Sequence, residues 1–169
     1  MEWFSNFFGG NKKNVVSKKN SKSRQEHFLR DYRTLKRKVK PLLYDPTGLV
    51  KDLERILKTL NSNTDFDKLY DQVKYNLDLF KKALLTFEAA GDKDLYINSF
   101  KTDYLNMVLT SKEFIKHLTD LNECARLASR AGEVSFLHLE RYMKRSIKSW
   151  HSLIDYWDKI DNKYKNKIV

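Results

Sequence analysis

From Phe28 almost to the end of the chain, apolar residues recur at alternating steps of four and three, the spacing that aligns side chains on one face of an α-helix. Leu, Lys, Asp, Phe and Tyr dominate the composition, which favours long helices over a strand-and-turn architecture. With two prolines and five glycines in 169 residues, little interrupts the pattern. Amphipathic helices of this kind must bury their stripes against one another. The expected fold is therefore all-α: an antiparallel bundle of five or six helices formed by residues 25–169, preceded by a flexible basic arm over residues 1–24. Capping signals every 15–30 residues and many aromatics in the stripes favour a bundle over a continuous coiled coil.

The stripes place the elements. Phe28, Tyr32, Leu35, Val39 and Leu42 define a helix from about Lys22 to Tyr44, which Pro41 should kink or end. Asp45-Pro46 offers an N-cap and a first-turn proline for a second helix to Leu60, with Leu49, Leu53, Ile56 and Leu60 inward. Thr64 and Asp67 resemble a capping box opening a third helix, which carries Phe66, Leu69, Val73, Leu77, Phe80, Leu84 and Phe87 and stops near Gly91. Asp92 caps a helix with Leu95, Tyr96, Tyr104, Leu105 and Val108. A box at Thr110 and Glu113 predicts a break before Phe114, Leu118, Leu121, Ala125 and Ala128. After Gly132, a last helix to Lys165 carries Phe136, Met143, Ile147, Trp150, Ile154, Trp157 and Tyr164.

Charge is distributed unevenly. Residues 1–40 hold twelve Lys or Arg against three acids, a net of +9 out of +11 for the whole chain. Such a segment suits an anionic surface, either lipid headgroups or nucleic-acid phosphate. Ahead of the charges stand Trp3, Phe4, Phe7 and Phe8, which share one side of a two-turn helix. A helix that short orders only on docking. Followed by Lys12, Lys13, Lys18, Lys19, Lys22 and Arg24, these rings read as a two-signal membrane anchor, aromatic insertion plus polybasic attraction. The composition of residues 9–24, rich in Gly, Asn, Ser and Lys, reads as a solvated linker that is disordered when unbound.

The same charges, extended by Arg30, Arg33, Lys36, Arg37, Lys38 and Lys40 on the first long helix, would also serve RNA or DNA phosphate. No zinc-ligand spacing, RNP-type strand or helix-turn-helix accompanies them. Clustering of the aromatics at the terminus, rather than among the charges as base-stacking platforms, favours lipid.

For chemistry, Arg145 precedes His151 by six residues, with Asp155 one turn beyond the histidine. Imidazole as base, oriented by a carboxylate, and guanidinium as phosphorane stabiliser would suffice to cleave RNA. Over residues 145–151 this spacing is similar to the Arg-to-His motif of HEPN-type helical ribonucleases, and the resemblance implies a small α-bundle acting as a dimer. That family commonly places Asn, Asp or His directly after the arginine, where this chain has Ser146. A polar stripe of Glu113, His117, Asp120 and Cys124 contains metal-binding residue types, but one helix cannot close a tetrahedral site and His138 and Glu140 supply no Glu-x-x-His complement. No metal, cofactor or phosphate-binding loop is expected.

No run approaches the roughly 18 apolar residues of a membrane span, and the one cysteine, Cys124, precludes an intrachain disulfide. The expectation is a cytoplasmic protein, peripheral at the inner face of the membrane and more plausibly a binding or scaffold module than an enzyme. The bundle would carry a protein partner, and the arm the location.

Overall fold

The computed structural model describes the backbone of residues 12–91, 97–131 and 135–166, with side chains for 24–90, 100–131 and 135–166. Every regular element among the described residues is a helix, with no strand: α1 (Lys12–Tyr44), α2 (Thr47–Thr59), α3 (Phe66–Gly91), α4 (Ile97–Ala131) and α5 (Phe136–Lys165).

α4 is central, packing along its length against both α3 and α5. α3 and α4 run antiparallel: Phe87 meets Tyr104 and Phe80 meets Phe114, each with ring centroids 5.0 Å apart, while Ser129 donates to Asp67 at the far end. α5 returns along α4, Phe114 lying 5.9 Å from Trp150 and Phe100 4.6 Å from Tyr164. α1 lies antiparallel to α5, with Phe28 against both Phe100 and Tyr164. Short α2 leans on α5 and α3 through Glu54–His151 and Asp52–Gln72. The core is continuous across all five helices, and Phe80, Phe87, Phe100 and Phe114 are among its fully buried side chains. Each such ring contributes roughly 1.5–3 kcal/mol by burial.

Most of the predicted stripes are buried, but several local signals work differently. The α1 backbone is helical from Lys12, ten residues before the start that the periodicity predicts, although residues 12–24 have linker-like composition. Past Gly10 that segment contains no glycine or proline, and extending an established helix costs far less than nucleating one. Pro41 lies inside α1 without ending it, and the helix closes at Tyr44, the bound that the stripe predicts. Pro46, not Asp45, precedes α2, with no side-chain cap. Asp65 caps α3 by accepting from Lys68 N at 3.0 Å, whereas Thr64 accepts from Asn61 N in the preceding turn.

The predicted break at Thr110 is absent. α4 is one helix of 35 residues, and Thr110 Oγ1 donates to the Asn106 carbonyl one turn back, at 2.8 Å, instead of capping. Continuity fixes the phase of the stripe as Phe100, Tyr104, Met107, Ser111, Phe114 and Leu118, all buried. Leu105, expected inside, is rotated out and 47 % exposed. Phe136 is likewise 39 % exposed in the first turn of α5, where Leu139 takes the core position. Leu95, Tyr96 and Asp92 lie outside the described residues.

Candidate anion-binding face

Arg30, Arg33, Arg37 and Lys40 follow one another at steps of three and four, so they form a ridge along α1 opposite its buried stripe of Tyr32, Leu35, Val39 and Leu42. All four are exposed. Arg30 has its neighbour Asp31 at 3.4 Å. Arg33, Arg37 and Lys40 form no ion pair with a described carboxylate; the same holds for other exposed cations such as Lys81, Lys116 and Lys148, and what sets these three apart is their alignment on one face. Lys40 instead has its ammonium 5.9 Å from the centre of the Tyr44 ring.

A shallow depression of about 420 Å³ opens beside this ridge, where α1 meets α5. Arg33, Lys36, Arg37 and Lys40 line it together with Leu43, Tyr44 and Trp157. A second, along α1 itself, is lined by Glu26, Leu29, Arg30, Thr34 and, again, Arg33 and Arg37, so one carboxylate stands at the N-terminal end of the ridge. The two arginines therefore border both.

Lys36 is held from behind. Its ammonium lies 3.2 Å from Asp161 Oδ1, and the same carboxylate accepts the Tyr32 hydroxyl and pairs with Lys165. Burial alone would raise the Asp161 pKa, but the Lys165, Tyr32 and Lys36 donors outweigh it and hold the carboxyl below its usual value. Burial, then the bond to Asp161, pushes the Tyr32 phenol upward. An ionised Asp161 thus joins α1 to α5 directly beneath the cationic face. A parallel node joins α4 to α5: Asp103 accepts from Lys163 at 2.8 Å and from the Tyr156 and Tyr164 hydroxyls. There burial opposes ionisation and the Lys163 and tyrosine donors again prevail, while the Tyr164 phenol is pushed up to about 12, by burial first and then by Asp103.

Of the other predicted site residues, Trp3, Phe4, Phe7 and Phe8 lie outside the described residues, as do the side chains of Lys12, Lys13, Lys18, Lys19 and Lys22. Arg24 is exposed. Arg145, His151 and Asp155 are all exposed on α5, and six residues of helix set Arg145 and His151 about 120° apart around its axis. The carboxylate beside His151 is Glu54 of α2, 3.2 Å from Nε2; no hydrogen bond joins His151 to Asp155. Along the Glu113 stripe, His117 Nε2 lies 3.7 Å from Glu113, and no group of three or more potential metal ligands converges among the described residues. The Cys124 thiol is half-buried, and burial followed by the Glu123 charge raises its pKa, away from a reactive thiolate.

The periodicity located the ridge but not what surrounds it. Trp157 reads as a core anchor, and it is buried, yet it is also among the residues that line the depression. Asp161 went unmarked although it stands one turn before Lys165, a spacing that signals a helical ion pair. Neither family models, curated proteins nor solved structures match this chain. What the face does has to be argued from its own chemistry.

Proposed function

We propose that this chain is a non-enzymatic helical binding or scaffold module that docks on an anionic membrane surface. The observation that carries the reading is the alignment of Arg33, Arg37 and Lys40 on one exposed face without a described acidic partner. Cations left with solvent as their only counter-charge keep their full attraction for an anionic leaflet, roughly 1 kcal/mol each near the surface. The sequence ahead of the ridge supplies five more lysines and, beyond them, the ring cluster suited to the lipid interface. Among the described residues no helix is long and apolar enough to cross a membrane, so the association argued for is peripheral. The faces of α3 and α4 away from α1 remain available to a protein partner.

Flotation with liposomes tests this reading. At physiological salt the full chain is expected to float with vesicles containing phosphatidylserine but not with neutral ones, and excess RNA should not strip it. Replacing Trp3, Phe4, Phe7 and Phe8 by Ala should abolish flotation while leaving helicity and melting temperature unchanged. Binding that RNA competes away, and that survives the aromatic replacements but fails in Arg33→Gln/Arg37→Gln, would reassign the ridge to nucleic-acid phosphate.

A further inference from the structure

A flat anionic surface accounts for a ridge of exposed cations; it does not account for a concavity beside them. The depression between α1 and α5 concentrates four cations, Arg33, Lys36, Arg37 and Lys40, within two turns of helix, a rise of about 10 Å. With Lys36 already paired to Asp161, three of these cations have no acidic partner, and a single phosphate or sulfate dianion would leave one of them uncompensated, whereas two or more phosphates on one small molecule would not. Its volume, about 420 Å³, falls in the range of small-molecule sites, ~300–1,000 Å³. Leu43 and Trp157 contribute apolar surface, which strengthens charge-assisted bonds by excluding water. The site is also partly pre-organised, because Asp161 already fixes Lys36 and Tyr32 ties that carboxylate to α1.

From this geometry we infer that the α1–α5 depression is a specific site for a compact, multiply phosphorylated headgroup, with Arg33, Arg37 and Lys40 as its ligands, Lys36 completing the charge and Trp157 against the ring. The inference deepens the membrane reading and rests on it for the lipid-borne source; the same chemistry also fits a soluble polyphosphorylated ring. Two arginines and two lysines supply both the planar donor forks and the point charges that neighbouring phosphates accept.

Two measurements on the full chain separate the site from the surface. In the first, inositol trisphosphate is titrated while tryptophan fluorescence is followed, with sulfate at matched ionic strength as control. The expected result is a saturable change of one-to-one stoichiometry that sulfate does not reproduce and that Trp157→Phe removes. Arg37→Gln/Lys40→Gln should weaken it about tenfold or more, whereas Arg141→Gln/Lys148→Gln, which removes the same charge from exposed positions of α5 outside the depression, should change it by no more than about twofold. In the second, flotation on phosphatidylcholine vesicles carrying phosphatidylinositol bisphosphate is compared with phosphatidylserine vesicles of equal charge. Preference for the bisphosphate places the headgroup on lipid. Saturable trisphosphate binding without flotation on either vesicle keeps the site, assigns it a soluble ligand and removes the membrane reading. No saturable binding, or equal losses in Arg141→Gln/Lys148→Gln and Arg37→Gln/Lys40→Gln with equal flotation on both vesicles, overturns the site and leaves only attraction to surface charge.

Discussion

Asp161 shows how one side chain serves both fold and face. It is 7 % exposed, yet ionised, because Tyr32, Lys36 and Lys165 donate to it from two helices. Since its folded pKa lies below the unfolded value of about 3.9, its contribution to stability is present in full above that value and is lost as the pH falls through the folded pKa. Asp103, also depressed, acts in the same sense. The melting temperature should therefore be level between neutral pH and about pH 5 and fall steeply below about pH 4. Asp161→Asn should lower stability at neutral pH by about 2 kcal/mol, the scale of hydrogen bonds to a charged group, and shrink the acid-induced fall. Thermal melts of the two proteins across a pH series would show this; parallel curves would remove Asp161 from the account.

At the scale of elements, α4 and α3 illustrate where sequence signals compete. Thr110 followed by Glu113 has the chemistry of a cap, but a threonine inside a helix can also return its hydroxyl to the carbonyl one turn back, as it does to Asn106. Thr110→Ala should therefore be neutral or slightly stabilising in urea unfolding, while Asp65→Ala, which deletes the working cap of α3, should cost about 1 kcal/mol. Equal losses in both variants would restore the break. The stripes of α1 and α3 were legible because nothing interrupts their phase between Tyr32 and Leu42 or between Leu69 and Phe87. The stripe of α4 was not, since a supposed break let the phase restart at Phe114, and Leu105 was drawn inside in place of Phe100 and Met107. Local spacing carries no information about which of two possible hydrogen bonds a Thr will make. The depression was illegible for a related reason: Trp157 and Leu43 sit 114 positions apart in the chain and meet only through packing.

For the whole molecule, the net charge of +11 is concentrated at one end of the chain and along one face of α1. Ion pairs on the other helices lose strength with added salt, but the larger effect here is repulsion among cations that lack partners. The melting temperature should thus rise as sodium chloride is raised from about 10 mM to about 100 mM, where the screening length shrinks from ~30 Å to ~10 Å. In an Arg33→Gln/Arg37→Gln/Lys40→Gln variant the rise should be smaller. A decrease with salt in the unaltered protein would mean that the paired charges dominate instead.

The bond from Tyr32 to Asp161 spans 129 positions. The apolar stripe of α1 can pack on α3 before α5 is in place, whereas Asp161 and Trp157, which complete the surroundings of its cations, lie on α5, so the depression forms only when these two distant segments meet. The α3–α4 hairpin, whose partners are close in sequence, can form in the meantime. The core can therefore assemble before the depression does.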